Sequence, residues 1–96
     1  MRITRIIWLP EIEDKLARKH HLTVIEVEEA LYNDPQIRFV ETGHCEDEDL
    51  HAAYGRTEEG RYILTYFILK TGNEALIISA RDMDRKEQRL YERRKS

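Results

Sequence analysis

The sequence predicts an α+β domain, in which two helices near the N-terminus pack on a four- to five-stranded, mainly antiparallel sheet and a further helix closes the chain. Three observations carry that expectation. Residues 10–33 hold two stretches with helical spacing of apolar residues and helix-type start and stop signals. From Gln36 the pattern shifts to β-rich segments separated by short Gly- and Asn-containing turns. The last sixteen residues return to a polar, strongly charged helical pattern. With 96 residues the chain is long enough for one domain spanning 1–96, with a modest core.

The first apolar segment, Ile3 to Leu9, predicts a short strand. Pro10 follows where a missing N–H costs nothing, at the first turn of a helix. Glu11, Glu13 and Asp14 then lie near the positive end of the helix dipole, and Lys15, Arg18, Lys19 and His20 near the negative end. Ile12 and Leu16 make its buried stripe, giving a helix over 10–20. Thr23 and Glu26 have the spacing of a capping box, and Val24, Val27, Ala30 and Leu31 share a face. Asn33-Asp34-Pro35 ends this second helix, over 23–33, because a residue before proline avoids the α region.

Gln36–Glu41 and Leu50–Arg56 predict strands either side of an acidic loop, Thr42 to Asp49. Glu59-Gly60 marks a hairpin tip. Tyr62–Lys70 is apolar on both faces, with Tyr62, Leu64, Tyr66 and Ile68 on one and Ile63, Phe67 and Leu69 on the other, as expected of a central strand. Thr71-Gly72-Asn73 makes another turn and Ala75–Ala80 another strand. Asp84 and Glu87 repeat the capping-box spacing, and a helix over 84–94 follows. The two N-terminal helices are expected on one sheet face. The other face, with the terminal helix at its edge, is where a groove is expected.

Composition narrows the functional classes. The net charge is −3, but it is unevenly placed. Residues 81–96 carry seven Lys/Arg and four Asp/Glu, whereas residues 1–80 carry nine and fifteen. A basic terminal segment on an acidic body suits local contact with phosphate or an acidic partner; a solvated helix face explains it equally well. One cysteine, Cys45, excludes an intramolecular disulfide and favours a reducing compartment. No segment approaches a membrane span or the apolar core of a signal peptide. A cytoplasmic protein without membrane association is expected.

Several motifs, in order along the chain, resemble the BrnT group of RelE-like ribonuclease toxins. They are Lys19-His20 leading into Leu22-Thr23 and Glu28-Glu29-Ala30; Asp34-Pro35; His44-Cys45 with the acids that follow; Gly55-Arg56-Thr57 with Gly60-Arg61; and Ile77-Ile78-Ser79-Ala80-Arg81 with Glu87 and Tyr91. The last is the most specific. Two positions depart from the family pattern: His21 stands in place of a glycine, and Leu50 in place of an arginine. The resemblance implies a RelE-like fold and a ribonuclease that inhibits translation without a cofactor. It also implies a cognate antitoxin of ribbon-helix-helix type, with which the toxin forms a DNA-binding complex. A homodimer or a heterotetramer with the antitoxin would follow.

Metal-free RNA cleavage needs a base for the 2′-OH, cations for the phosphorane and an acid for the leaving 5′-oxygen. Arg81 and Arg56 are the candidate cations, since a planar guanidinium can hold two phosphate oxygens. Their structural alternatives are pairs with Glu87 or Asp84, and with Glu58 or Glu59. His20 and His44 are the candidate proton shuttles. Tyr91 and Glu87, one turn apart, are candidate members of the same site. Arg61, His20 and Lys19 are candidate substrate contacts, with helix capping the alternative for His20. No metal is expected, because the ligand-rich stretch 44–51 has no established metal-site spacing. The contrasting expectation is a catalytically inactive interaction or co-repressor module, favoured by Leu50 and the acidic body.

Overall fold

A computed structural model of the chain describes residues 2–43 and 48–95. Its elements are β1 (Arg5–Ile7), α1 (Pro10–His20), α2 (Val24–Tyr32), β2 (Gln36–Glu41), β3 (Leu50–Arg56), β4 (Tyr62–Lys70), β5 (Glu74–Asp82) and α3 (Arg85–Lys95). The five strands form one sheet in the order β1-β5-β4-β3-β2. The meander β2–β5 is antiparallel, and β1 adds to its edge parallel to β5. The sheet is therefore mixed, and the two helices follow the first strand.

Local chemistry accounts for the helix ends. In α1, Pro10 occupies the first turn with Glu11 and Glu13, and Arg18, Lys19 and His20 occupy the last. His21 ends the helix in the left-handed region, at φ 53° and ψ 40°. That conformation costs a residue with a Cβ about 1–2 kcal/mol, and it explains why the resembling family places glycine there. In α2, the Thr23 side chain accepts from the Glu26 backbone N–H, and the Glu26 carboxylate accepts from the Thr23 backbone N–H, so the capping box is complete. Trp8 donates to Glu28 at 2.9 Å, tying the entry of α1 to α2.

The expected strand at 3–9 shortens to Arg5–Ile7, because only Arg5, Ile6 and Ile7 find partners on β5. Ile3 still enters the core. β4 alternates as its sequence predicts. Ile63 and Phe67 point to the face covered by α1 and α2, where they meet Leu16, Leu22, Val27, Ala30, Leu31 and Ile77. Leu64 points the other way, joining Ala52, Met83 and Tyr91 beneath α3, with Tyr54, Tyr62 and Tyr66 packed around them. A bulge skips Ile78 on β5 and leaves it partly exposed.

Gly55 is where the first layer is tightest. A Cβ there would lie 2.2 Å from the Ala30 backbone oxygen, a separation no relaxation of a side chain relieves. Gly55→Ala is expected to destabilise by about 1–3 kcal/mol or more, through forced separation of α2 from β3, read as a lowered urea midpoint. His21→Gly is expected to act oppositely, raising stability by about 1 kcal/mol by relieving the left-handed cost. An unchanged midpoint in either variant contradicts the corresponding packing argument.

Candidate functional site

Two groups of the candidate residues separate in space. The first lies on the α3 face of the sheet. Arg81, near the end of β5, is cross-strand from Leu64, which is cross-strand from Tyr54. One row away, Tyr66 pairs with Ala52, which pairs with Arg38. These two rows bring Arg38, Tyr54, Tyr66 and Arg81 to one face across four strands, a breadth of about 14 Å at the usual strand spacing. Ala52 in the centre is small and buried, so the larger side chains rise around it. The Arg38 guanidinium lies 5.8 Å from the Tyr54 ring centroid.

Arg81 is held in a fork. Its two terminal nitrogens donate to the two Glu87 oxygens at 2.8 and 2.9 Å, and one of them also reaches the Asp82 carbonyl. Hydrogen bonding to Glu87 raises the Arg81 pKa above its ordinary value, and Tyr66 adds to the effect. Glu87 serves α3 as well. Its carboxylate accepts from the Asp84 backbone N–H, and its own backbone N–H donates to Asp84, closing the second capping box. One carboxylate therefore both starts the helix and aims the arginine. Arg81 keeps 38% of its side-chain surface exposed, against 18% for Glu87, so the cation presents an open edge.

Arg56 shares this face but not this cluster. Its guanidinium lies 4.8 Å from the Tyr62 ring centroid and 3.5 Å from Glu92. The partner is thus Glu92, not Glu58 or Glu59. Glu87 and Glu92 are five residues apart, which turns them about 140° from each other around the helix axis. Arg81 and Arg56 consequently flank α3 on different sides. Tyr91 lies between, 1% exposed and edge-on to Tyr62 at 5.9 Å. Its burial corrects the expectation that Tyr91 is a member of the reacting site: Tyr91 seats α3 on the sheet.

The second group surrounds Asp82, whose neighbour Arg81 faces the other way along the strand. All five Arg61 donors are used: two to the Asp82 carboxylate, one to Glu26, and two to the His20 and His21 carbonyls at the end of α1. This corrects the expectation of a substrate contact, because no Arg61 N–H remains to offer. The guanidinium fastens α1, α2 and β5 instead. His20 is half-buried beside this cluster, and its charge bears on Asp82. Lys19 is exposed on the last turn of α1. His44 lies outside the described residues.

Sequence reasoning missed Arg38, Tyr54 and Tyr66. Arg38 has no motif around it, and the two tyrosines read equally well as core. Only the strand register, Arg38↔Ala52↔Tyr66, shows that they share an open face with Arg81.

A family described as ribonuclease toxin, BrnT, of type II toxin-antitoxin system matches residues 8–87. The chain belongs to the BrnT family. Membership makes it a member of a type II toxin–antitoxin ribonuclease toxin family, with an antitoxin as the implied partner. The matched span covers every element from the start of α1 to Glu87, including the whole Arg81–Glu87 fork. No curated protein matches the chain. No helix among the described residues of this BrnT chain is long and apolar enough to cross a membrane.

The ion pairs set an acid limit on stability. Hydrogen bonding to Arg81 holds Glu87 below its ordinary 4.5, and hydrogen bonding to Arg61 holds Asp82 below its ordinary 3.8. Both folded values are depressed, so the unfolded chain takes up more protons as pH falls. The stabilisation is complete above about pH 5 and is lost as pH drops through the lowered values. Urea midpoints are expected to hold near neutrality and fall steeply below pH 4. Glu87→Gln, which has no proton to take up there, should give a shallower acid limb. Superimposable limbs contradict the assignment.

Proposed function

We propose that this chain is the toxin of a type II pair and cleaves RNA on a RelE-like sheet, without a metal, so that translation is inhibited. The observation that carries the reading is the Arg81 fork within the matched BrnT segment: a cation fixed at two points, more than a third exposed and on the same face as Tyr66. A phosphodiester entering this face meets Arg81, with Arg38 at the far side of the same dish. Its 2′-oxygen attacks phosphorus, forming the O2′–P bond as the P–O5′ bond breaks. The 2′-OH proton passes to a base, and the leaving 5′-oxygen takes a proton from an acid. The Arg81 guanidinium counters the charge that builds on the phosphorane.

Tyr66, on the same face as Arg81 one row away, is assigned as the proton donor. Tyr54, with its partly buried ring, is assigned to stack on a base. Glu87 positions Arg81. His44 is retained as a proton shuttle on its chemistry alone, as the ordinary side chain that titrates near neutrality. Arg56 and Tyr91 position α3; Arg61, which bonds the His20 carbonyl, is assigned to the stability of the α1 end, and Lys19, exposed on the last turn of α1, to substrate contact. The product is a cyclic phosphate and a 5′-hydroxyl, made in the cytoplasm. The partner is a ribbon-helix-helix antitoxin that blocks the dish, forms a heterotetramer with the toxin and binds DNA as that complex.

A second reading has its own support. Arg81 and Arg56 already carry a carboxylate each from α3, the state expected of an inactive interaction module whose cations serve the fold. The two readings part on one assay. Purified chain is incubated with single-stranded RNA in chelator and the fragment ends are analysed. Cyclic-phosphate ends are expected from the wild type. Arg81→Ala is expected to lose about 10²–10³-fold in rate and Tyr66→Phe about 10²-fold. Intact RNA with all three proteins, each folded, selects the interaction module.

A further inference from the structure

Arg85, Arg89 and Arg93 stand four residues apart on α3. They form one row along the helix, with a guanidinium for about every 6 Å of axis. With Tyr62, Gln88 and Glu92 they line an open groove of about 510 Å³, and all three arginines are exposed. The groove adjoins Arg56, which lies over the Tyr62 ring and pairs with Glu92. The matched family segment ends at residue 87, so Arg89 and Arg93 lie outside what membership assigns.

We propose that this row is a binding track for the backbone of single-stranded RNA, separate from the Arg81 dish and on the opposite flank of α3. Its periodicity is the first argument. Evenly stepped guanidiniums match a polymer whose charge recurs at a regular interval, which a folded acidic protein does not offer. The second is geometry of contact: each planar fork can grip two phosphate oxygens. The third is the floor, where the Arg56 guanidinium lies over the Tyr62 ring and adds a further cation beside the row. The acidic body does not cancel this attraction. Charges farther than about 8 Å are largely screened at physiological salt, whereas the row meets phosphate at contact distance. The track explains how a chain of net charge −3 captures a polyanion.

The inference rests on the ribonuclease reading for the identity of the polymer, but binding can be measured without cleavage. A fluorescein-labelled 2′-O-methyl RNA twelve nucleotides long, which lacks the attacking hydroxyl, is titrated with the full chain by anisotropy over a salt series. Arg85→Ala/Arg89→Ala is expected to weaken binding about tenfold and to lower the slope of log K against log salt by about 1.4, at about 0.7 per phosphate contact. Arg85→Lys/Arg89→Lys should keep most of that slope. Thermal unfolding followed by circular dichroism establishes that α3 persists in each variant. Equal affinity and equal slope for wild type and the alanine variant overturn the track, as does a wild type that does not bind. Competition by polyglutamate as effective as by RNA, charge for charge, overturns it in favour of an acidic protein. Binding with the predicted slope but no cleavage of ordinary RNA leaves the track standing and removes the nuclease reading alone.

Discussion

The Arg81–Glu87 fork is the interaction on which the functional half of this molecule depends. It joins the last strand to the first turn of the last helix, and the same carboxylate closes that helix's capping box. Without it, α3 would still bury Tyr91 and keep the Arg56 and Tyr62 contacts to Glu92, but would lose the contact that ties its first turn to β5. Arg38, Tyr54, Tyr66 and Arg81 lie on the α3 face of the sheet.

A comparable division of labour appears on the other side of β5. Asp82 is bound by Arg61, whose remaining donors hold α1 and α2. Two adjacent residues of one strand, Arg81 and Asp82, thus anchor opposite layers through ion pairs of opposite polarity. The side chains alternate across the sheet, so a one-residue slip of β5 would exchange them and break both layers together. The register of this strand is specified by charge as well as by the apolar Ala75, Ile77 and Ala80.

Most of the architecture was legible in the sequence, because its signals are local. Pro10, the Thr23–Glu26 box and Asp34-Pro35 delimit the helices, and the alternation of Tyr62–Lys70 identifies the central strand and both its faces. The parallel placement of β1 was not legible, since three pairs at an edge leave no periodic trace. The site was legible in part. Arg81, Arg56 and Glu87 carried motif signals, and the structure brings them to α3. Arg38, Tyr54 and Tyr66 carried none, because their common face is a property of register between distant segments. Tyr91 and Arg61 misled for the converse reason: motif position does not reveal whether a side chain is already fully engaged by the fold.

The most direct test of the account is a double-mutant cycle on the fork, using urea unfolding of Arg81→Ala, Glu87→Ala and the double variant. The Glu87 capping contact is present in the Arg81 variant and cancels from the cycle. Arg81 is more than a third exposed, so water discounts the pair, and a coupling of about 1–2 kcal/mol is predicted for a forked, partly buried bridge. Losses that add within about 0.3 kcal/mol would mean that the two residues act independently. That result would contradict the claim that this contact sets the position of α3.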